Sequence, residues 1–234
     1  MKRYAFVFAR GGSKGLAKKN IKELLGKPLL CYSIDVALSS ALIDQVFVST
    51  DDATIAKLAA ESGAVVIDRP PYLATDTAIE WDAWRHAINW VGENYGSFDE
   101  FISLPATSPL RSVIDVESAI RKRNESDADI CISISKANRS PYFNMVTMNT
   151  EGEVSLVISP DIKVTRRQDA PVVYDITTVV YVADPKYVLE KFGLFEGNAV
   201  AVEIPKSRAV DIDDIYDFKL AEVILSDLKN HVEK

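Results

Sequence analysis

The sequence predicts an α/β fold in which a mostly parallel β-sheet is covered by helices on both faces. Three observations support it. Short apolar runs rich in β-branched and aromatic residues recur along residues 4–135, stretches with helical spacing lie between them, and the two kinds of segment alternate regularly. Continuous apolar runs are typical of strands buried on both faces, as in parallel sheets with crossover helices.

The predicted elements follow one another in a repeating order. The apolar runs predict strands over Tyr4–Ala9, Val46–Thr50, Ala64–Ile67, Glu100–Leu104 and Ile130–Ser135. The helical spacing predicts helices over Leu29–Ser39, Asp52–Ser62, Thr77–Glu93 and Val113–Asn124. Ligands of open α/β sheets bind beyond the carboxyl ends of the strands. The site is therefore expected at the loops that begin at Arg10, Asp51, Asp68 and Pro105.

The pattern changes after Lys136. Residues 138–170 read as irregular strands and turns, with Gly152 and Pro160 as breaks, and are expected to form an inserted arm. A β-prone run, a last strand, a loop and a terminal amphipathic helix follow. They are predicted over Val172–Val182, Ala199–Glu203, Pro205–Asp213 and from Ile215 onward. Residues 1–234 are expected to form one domain that carries the arm.

The composition excludes several classes of protein. The chain has 234 residues, of which 47% are hydrophobic, and its net charge of −7 makes it a poor general binder of nucleic acid or anionic membrane. No apolar stretch approaches the roughly 20 residues that span a bilayer, and the N-terminus lacks a signal-peptide pattern. Cys31 and Cys131 form no C-x-x-C pair and read as buried thiols in a reducing compartment. We therefore expect a cytoplasmic protein that handles any phosphate with a local cationic site.

The first loop, from Arg10 to Asn20, has the character of a phosphate cradle. Glycines let backbone N–H groups approach an anion, and the loop adds the cations Arg10, Lys14 and Lys19. A Walker loop that begins at Gly11 would need a second glycine where Leu16 stands, and the glycine spacing also fails the dinucleotide fingerprint. The loop is therefore expected to bind a polyphosphate through neither of these motifs.

A pair of carboxylates near the end of the chain suggests a metal site. Asp211 and Asp213 flank Ile212, and in an extended segment residues two apart point to the same side. Two adjacent carboxylates repel unless a cation lies between them, and Mg²⁺ prefers oxygen ligands and bridges to substrate phosphates. The alternation predicts a strand end with Ile212 packed inward and both aspartates facing a magnesium ion.

Structural roles remain open for some of these residues. Asp51 could cap the helix that starts near Asp52, and Asp213 or Asp214 could cap the last helix. Thr107-Ser108-Pro109 could begin a helix, with proline in its first turn.

The motifs together resemble the acylneuraminate cytidylyltransferases, also called CMP-sialic acid synthetases. The resemblance runs the length of the chain, in motifs that keep the family's order. They are Ala9-Arg10-Gly11-Gly12-Ser13-Lys14-Gly15-Leu16 with Lys19-Asn20, Val48–Asp51, Arg69-Pro70 with Asp76-Thr77-Ala78, Thr107–Arg111, Arg167-Gln168 with Tyr181, and Asp211-Ile212-Asp213.

The resemblance implies a three-layer, Rossmann-like nucleotidyltransferase fold with a small dimerisation arm. It also implies that CMP passes from CTP to an acidic nine-carbon sugar and that pyrophosphate leaves. The loop residues Gly11, Gly12, Ser13 and Lys14 would hold the phosphates, and Asn20 and Arg69 the cytosine. Arg10, Lys19 and Asp211 would act in catalysis, Asp211 and Asp213 would bind Mg²⁺, and Thr107 would have a mostly structural role at the site. Arg167, Gln168 and Tyr181 would contact the sugar. The base is left open between Asp211 and a metal-bound hydroxide.

The sugar half departs from the family pattern. Pro105 replaces a usual glutamine, Phe143 replaces a lysine that some members have, and a usual Arg-Pro-Asn-Gly-Ala-Ile-Tyr segment is replaced by Asp175–Tyr181. Residues 141–144 and Tyr174-Asp175 look more like relatives that activate legionaminate. The family is commonly dimeric, so a homodimer is expected. The alternatives are a nucleotidyltransferase for another sugar such as Kdo and a non-catalytic nucleotide-binding protein.

Overall fold

The structure is a computed structural model that describes residues 1–12, 15–159 and 164–232. Its centre is a seven-stranded sheet with the strand order β11-β7-β10-β6-β1-β4-β5. These strands are β1 (Arg3–Phe8), β4 (Gln45–Thr50), β5 (Val65–Asp68), β6 (Glu100–Ser103), β7 (Ile130–Lys136), β10 (Tyr174–Ala183) and β11 (Ala199–Glu203). Within this sheet every pairing is parallel except those that β10 makes with β6 and β7. The predicted mostly parallel α/β sheet is confirmed.

Helices cover both faces of the sheet. The longer ones are α1 (Leu29–Ser39), α2 (Ala53–Glu61), α3 (Glu80–Tyr95), α4 (Val113–Glu125) and α6 (Ile215–Val232), and α5 (Pro185–Glu190) is a short helix. Residues of α1, α2 and α4, such as Ile34, Ile55 and Ile120, pack on one face of the sheet. Trp81 and Trp84 of α3 pack on the other face with aromatic residues of the strands. These two apolar clusters confirm the predicted three layers.

Local signals explain where several helices begin. Asp52 caps α2 by accepting from Thr54 N and Ile55 N, so the alternative that Asp51 caps this helix does not hold. Ser112 and Asp115 form a reciprocal capping box at the start of α4, and the Thr107–Pro109 turn therefore begins no helix. Asp214, the other residue proposed as a cap, begins α6 by accepting from Tyr216 N and Asp217 N. Asp213 is thereby left available for another role.

Two small elements were not predicted. The strands β2 (Glu23–Leu24) and β3 (Lys27–Pro28) form a tight hairpin, in which Leu25 and Gly26 adopt φ values of 48° and 79°. Helix α5 begins at Pro185, after the cap Asp184, which accepts from Lys186 N. Proline in the first turn after an aspartate is a helix-start signal that could have revealed α5.

The segment 138–170 stands apart from the main sheet. Its described part carries the hairpin of β8 (Val146–Met148) and β9 (Val154–Leu156), whose turn contains Gly152 at a φ of 84°. This hairpin exposes large apolar side chains, among them Val146, Met148 and Val154. Across the described ranges, no helix is both long enough and apolar enough to cross a bilayer.

Candidate active site

The loops that follow β1, β4, β5 and β6 meet at one edge of the sheet. Backbone hydrogen bonds join them: Ala9 N donates to Ser49 O at 3.1 Å, and Arg69 N donates to Thr50 O at 2.8 Å. The loops after β1, β5 and β6 border a cavity of about 480 Å³. Its lining includes many of the residues predicted for the site: Arg10, Gly12, Lys19, Asn20, Arg69, Thr107 and Asp213.

The glycine-rich loop packs too closely for side chains at two positions. A Cβ on Gly11 would lie 2.8 Å from Asp52 Oδ2, and a Cβ on Gly15 would lie 2.3 Å from the backbone oxygen of Asp213. Gly11 N also donates to Asp51 Oδ1 at 3.0 Å, so Asp51 fixes this loop. The glycines thus let the first loop contact both the β4 exit and the segment that carries the acidic pair.

Two residues predicted to bind phosphate, Ser13 and Lys14, lie outside the described residues. Arg10 lines the cavity, where its Nη1 forms an ion pair with Asp76 at 2.8 Å and approaches the backbone oxygen of Ala74 at 3.4 Å. Asn20 is buried and donates from Nδ2 to Arg10 O at 3.0 Å, which leaves its Oδ1 available to a ligand.

Lys19 connects the first loop to the acidic pair. Its ammonium donates to Ile212 O at 2.6 Å and lies 3.2 Å from Asp213 Oδ1. The residues are 193 and 194 positions apart in the chain. The predicted juxtaposition of a cationic glycine loop and the Asp211–Asp213 couple is therefore present in the structure.

The acidic pair lies in the loop between β11 and α6. Ile212 is fully buried against residues such as Leu24, Leu110 and Phe218, as the alternation predicted, but the predicted strand end is wrong because β11 stops at Glu203. Ile212 N donates to Thr107 O at 2.9 Å, which fixes the pair to the turn after β6. This hydrogen bond is consistent with a mostly structural role for Thr107.

The two aspartates fit a divalent cation that also takes ligands from a substrate. Asp211 Oδ1 is buried and has no hydrogen-bond partner, and a buried carboxylate oxygen needs a donor or a cation. Among the described residues, no group of three or more His, Cys, Asp and Glu side chains forms a metal site. Mg²⁺ is commonly held by one or two carboxylates and by substrate phosphates, and this donor set meets that requirement.

A buried arginine lies within the electrostatic reach of Asp211. Arg111 is 4% exposed and donates to Ser33 Oγ, Pro105 O and Thr178 O. Burial lowers its pKa to about 9, while the negative charge of Asp211 opposes this shift. The negative charge of Asp211 therefore stabilises the protonated form of the buried Arg111.

Arg69 is the second buried arginine at the cavity. Its Nε donates to Ser49 Oγ at 3.1 Å, its Nη2 donates to Ser49 O at 2.7 Å, and its guanidinium lies 5.6 Å from the ring centre of Phe8. Burial lowers its pKa to about 10, against the opposing charges of Asp51 and Glu80. Two of the five N–H donors are used by the protein, so both N–H groups of Nη1 and one of Nη2 are left to meet a ligand.

Glu80 is a site residue that the sequence analysis missed. It begins α3, lines the cavity and forms no hydrogen bond or ion pair of ordinary geometry with the described residues. Loss of water around its carboxylate raises the pKa of Glu80; the Trp84 indole N–H and Arg69 oppose this, and Asp211 reinforces it. In a sequence, a carboxylate at the amino end of a helix indicates only that a helix begins there. It therefore gave no reason to place Glu80 in the site.

Tyr181 and the pair Arg167–Gln168 do not lie together. Tyr181 is buried in the aromatic core beside Trp84, and burial, with the charges of Glu80 and Asp211, raises its pKa to about 12. Arg167 and Gln168 line a separate groove of about 440 Å³ on the arm, with Lys136 and Arg139. Within one chain the structure therefore does not bring these predicted sugar ligands to the cavity that holds Lys19 and Asp213.

A model of the cytidylyltransferase family matches residues 4–196. The chain belongs to the cytidylyltransferase family. The predicted family resemblance is confirmed, and with it the prediction of a nucleotidyltransferase.

Several curated proteins are similar to this cytidylyltransferase over most of its length. The chain is 35% identical over 226 residues to a CMP-N,N'-diacetyllegionaminic acid synthase of Campylobacter jejuni, with 96% of this chain and 94% of the relative covered. It is 34% identical to post-translational flagellin modification protein B of Campylobacter coli, with 94% of both chains covered. It is 31% identical to an N-acylneuraminate cytidylyltransferase of Streptococcus agalactiae, of which the match covers only 52%.

Solved structures confirm the fold of the cytidylyltransferase. A CTP complex of CMP:2-keto-3-deoxy-manno-octonic acid synthetase matches with a TM-score of 0.70 over 97% of this chain and 99% of the other. The two sequences are 16% identical, so the likeness concerns the fold.

Proposed function

We propose that this cytidylyltransferase transfers CMP from CTP to the anomeric hydroxyl of a sialic-acid-type nonulosonate and releases pyrophosphate. The observation that supports the proposal most directly is the bridge from Lys19 to Ile212 O and Asp213. This bridge joins the cation expected to bind phosphate to the acidic couple that the sequence motifs predicted. The relative named as a CMP-N,N'-diacetyllegionaminic acid synthase is similar over nearly the whole chain.

In this mechanism the protein positions the triphosphate and neutralises its charge. Backbone N–H groups of the glycine loop, Arg10 and Lys19 bind the phosphates, and Arg69 and Asn20 present hydrogen-bonding groups to the cytosine. The anomeric oxygen attacks the α-phosphorus, the bond to the β-phosphate oxygen breaks, and the hydroxyl proton leaves. Phosphoryl transfer of this kind depends mainly on in-line positioning and electrostatic stabilisation. No protein nucleophile is required.

Magnesium belongs to the proposal. Asp211 and Asp213 would hold it, and when bound it would supply positive charge to the phosphate at which the reaction occurs. Asp211 has an additional role as a candidate for receiving the hydroxyl proton, since one of its oxygens is buried without a partner.

The sugar side of the proposal requires a homodimer. Arg167 and Gln168 are exposed on the arm, away from the cavity of their own chain. We expect a second copy to bring them to the cavity, where the guanidinium can bind the sugar carboxylate with two hydrogen bonds. Exposed apolar residues on the hairpin support an interface there: Val146 is 56% exposed, Met148 72% and Val154 62%.

Mixing two inactive variants tests the shared site. Arg167→Ala would remove the residue expected to bind the sugar but leave the cavity intact. Asp211→Ala would disable the cavity but leave Arg167 in place. Hybrid dimers should regain one complete site, so mixed and re-equilibrated samples should recover activity that neither variant has alone. Recovery of no activity from hybrids of confirmed composition would contradict the placement of Arg167 in the partner's site.

The nature of the sugar is tested by measuring pyrophosphate release with CTP. We expect the highest kcat/KM with a legionaminate-type sugar, since residues 141–144 and Tyr174-Asp175 resemble those relatives. N-acetylneuraminate, pseudaminate and Kdo serve as comparison substrates. Binding of CTP without turnover on any of these sugars would instead support a non-catalytic nucleotide-binding protein.

We also propose a cytoplasmic location. Both cysteines are buried free thiols, which fits a reducing compartment, and CTP is a cytoplasmic metabolite. Fractionation of cells that express the tagged chain tests this location.

A further inference from the structure

The Lys19 ammonium serves two parts of the candidate site at once. It lines the cavity beside Arg10 and Gly12, where a triphosphate would lie, and it also contacts Ile212 O and Asp213 Oδ1 at 2.6 and 3.2 Å. The Lys19 side chain is only 15% exposed, whereas that of Asp213 is 79% exposed. The ammonium therefore occupies the inner side of the carboxylate that faces the cavity.

A second cation, Arg111, acts on Asp211 electrostatically without forming an ion pair with it. The buried guanidinium of Arg111 interacts electrostatically with it and is held in place by three backbone and side-chain acceptors. Asp213 thus has a positive charge 3.2 Å away before any ligand binds. A divalent cation bound to Asp213 would lie a few ångströms from the Lys19 ammonium. The repulsion between these two positive charges opposes the binding of free metal.

We propose that Lys19 is an exchangeable counter-ion that couples the binding of the triphosphate to the binding of the divalent cation. Without nucleotide, the ammonium neutralises Asp213 and keeps the affinity for free metal low. A triphosphate draws the ammonium toward its own oxygens and frees Asp213 for the metal. This inference rests on the proposed function, because it takes the Asp211–Asp213 couple as the metal site.

The exchange requires only side-chain movement. Lysine is a compact charge on a flexible stem with three rotatable donors, so it can turn from a carboxylate to a phosphate. The backbone around the couple is fixed, since Ile212 N donates to Thr107 O at 2.9 Å and Asp213 O packs against Gly15. The acidic segment therefore stays in place while the ammonium moves.

Thermodynamic reciprocity gives the proposal its measurable form. If nucleotide raises the metal affinity by some factor, the metal raises the nucleotide affinity by the same factor. Removal of the Lys19 charge should strengthen binding of the free metal, weaken binding of CTP, and reduce this coupling factor. A residue with a purely structural role would weaken both ligands together.

The test measures Mn²⁺ binding by electron paramagnetic resonance, with and without CTP and with no sugar present, so that no turnover occurs. Mn²⁺ is a suitable probe because carboxylate and phosphate oxygens bind it as they bind Mg²⁺. We expect Lys19→Met to bind Mn²⁺ about tenfold more tightly than the unmodified protein when nucleotide is absent. We expect CTP to enhance Mn²⁺ binding strongly in the unmodified protein and by at least about fivefold less in the variant.

Two matched variants complete the test. Lys22→Met removes the same charge nearby, from a side chain that lies over the Phe218 ring at 5.3 Å, and should leave Mn²⁺ binding unchanged. Lys19→Arg keeps the charge and should restore weak binding of free Mn²⁺. If Lys19→Met leaves the free-metal affinity and the coupling factor unchanged, or if Lys22→Met shifts them equally, the proposal is overturned. Failure of the proposed function appears separately, as absence of pyrophosphate release with every nonulosonate.

Discussion

The close contact between Gly15 and Asp213 predicts that one methyl group added at position 15 will force the glycine-rich loop and the acidic segment apart. In Gly15→Ala, the new Cβ would lie 2.3 Å from Asp213 O and 3.4 Å from its carbonyl carbon. An ordinary carbon–oxygen contact is about 3.3 Å, so the two backbones must move apart by about 1 Å. The new Cβ meets backbone atoms of Asp213, so no flexible side-chain end can move aside to relieve the contact. The strain therefore falls on the loop that carries Lys19 and on the segment that carries the acidic couple.

The expected magnitudes follow from this displacement. A misplacement of about 1 Å at reacting groups lowers kcat/KM by roughly 100-fold, and overpacking destabilises by about 1–3 kcal/mol. The assay combines pyrophosphate release with thermal unfolding. Gly92→Ala is the matched control: Gly92 lies in α3, and a Cβ there would meet no atom within 4 Å, so activity should stay unchanged and stability rise slightly. A Gly15→Ala protein with kcat/KM within about threefold of the original would refute the reasoning.

Three further substitutions test other parts of the site. Asp211→Asn keeps the shape but removes the charge, so we expect kcat to fall on the order of 10³-fold in the pyrophosphate assay, and normal turnover would end the metal assignment. Glu80→Gln removes a carboxylate whose pKa the fold raises above the ordinary value of 4.5. At a pH above 4.5, the ionised form of Glu80 therefore destabilises the protein. The variant should therefore unfold at a higher temperature at pH 7, with a gain that disappears below about pH 4; a pH-independent difference would contradict this. Asp115→Ala removes the α4 capping box and the two-pronged contact from Arg208 at 2.8 and 2.9 Å, and should cost about 2–4 kcal/mol in urea unfolding. Burial raises the pKa of Asp115, but hydrogen bonds from Arg208 and Ser112 outweigh it, so the original protein should lose this stability only below about pH 4, and the variant should lack that loss.

The sequence was sufficient to predict the sheet and the position of the glycine-rich loop because both depend on local patterns. Apolar runs at regular intervals specify buried parallel strands, and a glycine-rich loop directly after the first strand must lie at the carboxyl edge of the sheet. The placement of Ile212 followed from alternation alone, and the structure buries it completely. The alternation did not reveal that Ile212 lies in a loop and not at a strand end, because an extended loop and a strand share the same side-chain alternation.

The sugar half resisted prediction for a different reason. Arg167 and Gln168 lie in a groove formed by Lys136, Arg139 and their own turn, which is distinct from the nucleotide cavity. A sequence motif states which residue types occur, but not whether they act on the cavity of their own chain or on that of another. Glu80 shows the complementary problem: its functional character comes from surrounding side chains that are remote in sequence, such as Arg69 and Asp211.

Buried carboxylates near the two ends of the sheet differ in whether the protein itself supplies their partners. At the amino ends of β1 and β6, Glu100 is fully buried, but Arg3 and Arg123 both bind it, with Arg123 Nη1 at 2.9 Å. Near the carboxyl ends, the buried Asp211 Oδ1 has no hydrogen-bond partner among the described residues. A buried carboxylate oxygen without a partner destabilises a fold, so we expect a ligand to supply the missing contact at Asp211. The chain thus satisfies the buried charge of Glu100, which holds the sheet together, and leaves one oxygen of Asp211 unsatisfied where a triphosphate and a cation are expected to bind.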